Sequence, residues 1–174
     1  MAMWGAAAFL LLLPLAAMRF TNGVNWGAGD FMAFGALLTV ACGTCELAAR
    51  MTGNRAYRTA VGVAVAAAFI LVWMNLAVGI IGAEDNPANL MFGGVLAVGI
   101  AGAVIARFRP HGMSRALAAT ALAQVLAAVI ALMAGWGSAG ANWPGDIVVL
   151  TGSFAALWGG SALLFRKAAF DMSR

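Results

Sequence analysis

The residues best suited to chemistry in this chain fall within one apolar stretch, GAGDFMAFGALLTVACGTCELAARM, from Gly27 to Met51. Glu46 is the only carboxylate inside a predicted span. An ionisable group in hydrocarbon is costly, so it is either paired or used, as a proton relay or a cation site. Arg50 follows one helical turn later, at the spacing that closes a Glu–Arg pair near the membrane interface. Thr39, Cys42 and Gly43 lie on or near the same helix face as Glu46 and extend it into a polar stripe.

Cys42 and Cys45 spell C-G-T-C. A reactive dithiol places its nucleophile at a helix N-terminus, where the dipole stabilises thiolate, but this pair falls near the C-terminus of its helix. A thiol-dependent membrane enzyme would need one of the two to be labile. His111 is the single histidine and stands far from both cysteines in sequence, so no tetrahedral zinc set is visible and no metal is expected. Asn75 and Gln124 are further polar groups within spans, suited either to bonding between helices or to lining a solute path. The methionines are scattered and read as gap-fillers. No cofactor is indicated, although an apolar pigment or lipid would leave no motif.

The elements that carry these residues are membrane spans. Of 174 residues 64% are hydrophobic and only 9% charged, against roughly 25% charge in a soluble domain. At about 20 residues per span the chain has room for about six and for no soluble domain. The net charge of +4 comes from short basic clusters between apolar runs, which excludes a nucleic-acid face and points to topology signals.

The opening MAMWGAAAFLLLLPLAAM has no basic residue before it, unlike a secretory signal, and is expected to be kept as the first span, about Trp4 to Met18, with Pro14 inside. The polar run FTNGVNWGAG leads to the second span, about Gly29 to Ala49. The third, about Thr59 to Gly82, gives way to EDNPAN, where Asn86 can cap a helix and Pro87 needs no N–H partner. The fourth span covers Ala88 to Ala106 and the fifth about Ala116 to Gly135. After GWGSAGANWPGD the sixth covers about Ile147 to Phe165.

With a cytoplasmic N-terminus, nine of the ten basic residues fall on the cytoplasmic side and only Arg19 on the other. That bias predicts both termini in the cytoplasm. Asp30 precedes Arg50 by 20 residues, Asp85 precedes Arg107 by 22 and Asp146 precedes Arg166 by 20. At about 1.5 Å per residue each pair is roughly 30 Å apart, so the six charges mark the bilayer edges. Asn25-Trp26 before Asp30 is echoed by Asn142-Trp143 before Asp146. The pattern predicts an all-α polytopic bundle, one transmembrane domain over 1–174 built as three tandem hairpins, about 1–55, 56–113 and 114–174. Gly35, Thr39 and Gly43, and likewise Gly152, Ala156 and Gly160, repeat small residues every four positions, a spacing that lets helix backbones approach closely.

With its loop EDNPANLMFGG and arginine-bounded hairpins, the chain resembles uncharacterised small multi-span inner-membrane proteins of bacteria. Its layout is also similar to that of the six-helix acid-resistance membrane protein family, which likewise repeats short helical hairpins. The likeness of layout implies an inner-membrane protein without a known catalytic site. The expectation is therefore a non-enzymatic protein of the bacterial inner membrane that passes or senses a small solute or proton as an oligomer, through Glu46, Thr39, Asn75 and Gln124. The other expectation is an accessory or structural subunit that docks on a larger membrane complex by its small-residue helix faces. In either case its surroundings are the lipid bilayer, with no nucleic acid.

Overall fold

A computed structural model describes residues 2–21, 25–140 and 142–173. Residues 22–24 and 141, in two of the polar connections, and Arg174, in the basic tail, lie outside them. Among the described residues all regular structure is helical: α1 (Ala2–Phe20), α2 (Ala28–Met51), α3 (Arg55–Ala77), α4 (Met91–Ile105), α5 (Pro110–Met133) and α6 (Gly145–Asp171). A 3-10 turn, Pro87–Leu90, runs straight into α4. Six helical segments are long and apolar enough to cross a membrane, the fourth being Pro87–Ile105 with its 3-10 turn. The helix α1 continues through Pro14.

Local sequence explains where the helices stop. At the start of α2 the Asp30 carboxylate accepts from the N–H of Gly27 at 2.8 Å, and its charge suits the positive end of the helix. Asn54 caps α3 by accepting from the N–H of Tyr57, and Asn86 caps the 3-10 turn through Ala88. Apolar sequence carries the expected third span to Gly82, yet α3 ends at Ala77. Gly79 and Gly82 adopt positive φ, which turns Ile80 and Ile81 down into the core. Buried Asn89 holds this turn: its Oδ1 accepts from the N–H groups of Ile80 and Ile81, and its Nδ2 donates to the carbonyl of Ala83. Two backbone donors that would otherwise be orphaned are thereby satisfied. At the other extreme α5 begins six residues before the expected Ala116, with Pro110 in its first turn, and α6 runs on to Asp171 past Arg166 and Lys167. Long basic side chains can keep their heads in water while the helix that carries them continues.

Packing is uneven. The pair α5–α6 is the most extensive interface, with α3 laid on α6 and α4 on α5, and these four helices share the larger core around Phe92, Phe154, Trp158 and Phe165. Gly102 lets α4 and α5 meet closely, since a Cβ there would stand 2.7 Å from the Cβ of Ala116. By contrast α3 and α4, expected as the two arms of a middle hairpin, scarcely touch. The helix α1 rests on α2, and the second, smaller core joins this pair to α3. Its centre is aromatic: Phe34 lies 4.5 Å from Trp73 and 5.7 Å from Phe69 between ring centroids, and Trp26 lies 5.1 Å from Trp73. These rings fix α2 against α3 in the half of the bundle that bears Asp30.

Candidate functional site

The four polar residues expected to form a path sit at separate places. Thr39 Oγ1 donates to the carbonyl of Gly35 in its own helix at 2.8 Å. The Asn75 amide donates to Leu71 in the same way, while its Oδ1 is buried without a partner. Glu46 is held by Arg50 and, from α1, by Trp4, whose indole Nε1 donates to Oε2 at 2.7 Å. Gln124 is fully buried in α5 with neither amide atom bonded. No hydrogen bond joins any two of the four among the described residues. Thr151 Oγ1 and Trp158 Nε1, both on α6, are likewise sealed without partners.

Cys42 is buried, with its Sγ 3.9 Å from the carbonyl of Met3, Cys45 is half-buried, and both are free thiols. Among the described residues no three His, Cys, Asp or Glu side chains gather as a metal set. The small-residue faces differ. A Cβ on Gly35 would lie 3.8 Å from Leu11 of α1, whereas one on Gly43, Gly152 or Gly160 would meet nothing within 4 Å among the described residues, and Ala156 is exposed. Asp85 lies in the connection before the 3-10 turn, Asp146 in the first turn of α6, and Arg107 just past the end of α4.

The structure does gather one site: a cleft of 510 Å³ at the arginine-bearing half of the bundle, in the gap between α3 and α4. One wall is Thr44, Leu47, Ala48 and Met51 of α2, continued by Val61, Ala64 and Ala68 of α3. Across from it stand Leu96, Gly99, Ile100, Ala103 and Val104 of α4. Leu117 and Thr120 of α5 and Trp158 and Phe165 of α6 close the interior side. The cleft exists because alanine and glycine face each other where larger side chains would have filled the space. It opens sideways on the apolar outer surface of the bundle, for Ile100 and Leu47 on its rim are 66% and 58% exposed.

Its lining offers no free polar group. Thr44 and Thr120 donate to the carbonyls of Val40 and Ala116 in their own helices. Tyr57, at the arginine end, donates to the carbonyl of Phe108 at 2.8 Å and packs edge-on against Phe165 at 5.1 Å. The Trp158 Nε1 is buried away from any accessible space. Water requires two or more polar partners to occupy such a site, so a space this apolar admits hydrocarbon and rejects water.

No family model, no curated protein and no solved structure matches the chain. The site therefore rests on its own geometry. Sequence reasoning missed the cleft, and with it Tyr57, Ala64, Ala103 and Trp158. The available signal was the alanine run on α3 together with the glycines of α4. It missed Trp4 as well, because nothing in sequence links that residue to Glu46, 42 positions on.

Proposed function

We propose that the chain is a non-enzymatic integral membrane protein of the bacterial inner membrane that senses or passes a small solute dissolved in the bilayer itself, received in the lateral cleft. The observation that carries this reading is the cleft: about 500 Å³ falls within the usual range of small-molecule pockets, its walls are apolar, and its mouth faces lipid. Leaving such a space unfilled forfeits dispersion contacts on every wall, so bilayer hydrocarbon has a net drive to enter. The bias of the basic residues toward one side supports a cleft in the cytoplasmic half of the membrane with both termini cytoplasmic, the orientation expected of three hairpins threaded from that side.

The test is native mass spectrometry of protein extracted in mild detergent. Wild type should retain a bound amphiphile through washing, and Ile100→Trp at the rim or Ala103→Phe in the wall should release it. Equal retention by the blocked variants would remove the cleft from the function.

Attachment to a second subunit, either another copy or a larger complex, is favoured by one separate observation. Gly152, Ala156 and Gly160 form an open face on α6, and among the described residues no atom lies within 4 Å of a Cβ placed on either glycine. A valine at Gly152 should then dissociate the assembly without unfolding the chain.

A further inference from the structure

Resting on the cleft reading, we infer that the occupant is an anionic phospholipid, with one acyl chain between α3 and α4 and its phosphate held by Arg58, Arg107 and Arg109. The two segments that carry these arginines are joined by a hydrogen bond. Tyr57 Oη donates to the carbonyl of Phe108 at 2.8 Å, which pins the start of α3 to the connection between α4 and α5. Arg58 follows one of these residues, and Arg107 and Arg109 flank the other. Tyr57 and Phe108 both line the cleft, and the three arginines are their immediate neighbours in the chain.

The connection itself is built to hold them there. Arg107 and Phe108 take φ of 48° and 57°, a left-handed pair that reverses the chain within a few residues before Pro110 starts α5. The arginines are exposed. Among the described residues Arg50 is the only basic side chain in an ion pair, and its partner Glu46 is the one acid beside the α2 wall. Asp171, at the end of α6, is the other acid at this end of the bundle, while Asp30, Glu84, Asp85 and Asp146 all belong to the opposite end. Residues next in the chain to the lining therefore bring exposed positive charge, without an ion-pair partner among the described residues, to the same end of the bundle as the apolar slot.

That combination fits an amphiphile with a negative head at the depth of the interface and a hydrocarbon tail. Basic pockets between transmembrane helices recognise anionic headgroups in this way. A neutral apolar solute would satisfy the slot and leave the arginines unused. A free phosphate would satisfy the arginines and leave the slot unused.

The test titrates delipidated full-length protein in mild detergent with phosphatidylglycerol or phosphatidylethanolamine of identical chains, read by native mass spectrometry. Wild type should bind one phosphatidylglycerol in preference. Arg58→Gln, Arg107→Gln and Arg109→Gln should each weaken that binding about five-fold while leaving phosphatidylethanolamine unchanged. Ile100→Trp should reduce both lipids. Equal affinity for the two lipids in wild type, or an undiminished preference in the triple glutamine variant, overturns the anionic assignment and leaves the cleft reading standing. Retention of neither lipid, or full retention by Ile100→Trp, overturns both.

Discussion

Gln124 of α5 is fully buried, and neither its amide nitrogen nor its oxygen finds a partner among the described residues. A buried polar atom left unbonded costs about 1–3 kcal/mol, so Gln124→Leu should stabilise the protein by about that amount, read as a higher thermal midpoint in detergent. A lower midpoint would show that the amide has a partner on which the folded chain relies. Glu46 behaves in the opposite way, since it carries two contacts at once. Glu46→Gln removes the charge from the bonds to Trp4 and Arg50, so the backbone amides of α1 should exchange with solvent deuterium faster while those of α5 and α6 keep their protection. Unchanged exchange in α1 would mean that Trp4 contributes nothing to its docking. Arg50 could be read from the sequence as a partner of Glu46 because it lies one helical turn away, whereas Trp4 could not, since it reaches Glu46 only because α1 folds back along α2.

Glycine divides the helices into faces that touch this chain and faces that do not. At Gly102 a side chain would collide with Ala116, and overpacking of this kind costs about 1–3 kcal/mol. Gly102→Val should therefore lower the thermal midpoint, whereas Gly152→Val, at an open position, should leave the midpoint of the isolated chain unchanged. Equal loss in both variants would contradict the packing of α4 on α5. The spans were legible because their length and apolarity follow from the bilayer itself. The end of α3 was not, since Ile80 and Ile81 continue the apolar run and only the positive φ of Gly79 and Gly82, with Asn89 beneath, turns the chain inward. In Asn86-Pro87-Ala88-Asn89 the first asparagine announces its cap by position. The second shows its role only where the turn closes over it.

Over the whole molecule the helices divide into a close-packed set, α3 to α6, and a lighter pair, α1 and α2, joined to it by the aromatic cluster around Phe34 and Trp73. The cleft lies along a seam between α3 and α4 that α2 walls on one side, in the half of the bundle that those aromatics do not reach. It was illegible in sequence because it is made by small residues on three helices failing to fill a shared space, and no single segment records that. The most direct test of the cleft is photo-crosslinking in vesicles with a phospholipid that carries a diazirine midway along its acyl chain, followed by peptide mapping. Labelling should concentrate on Val61–Ala68 of α3 and Leu96–Ala103 of α4, above the level at the more exposed Phe9–Leu13 of α1. Labelling that simply follows exposure, strongest on α1 and weak within the seam, would contradict a lipid-filled cleft.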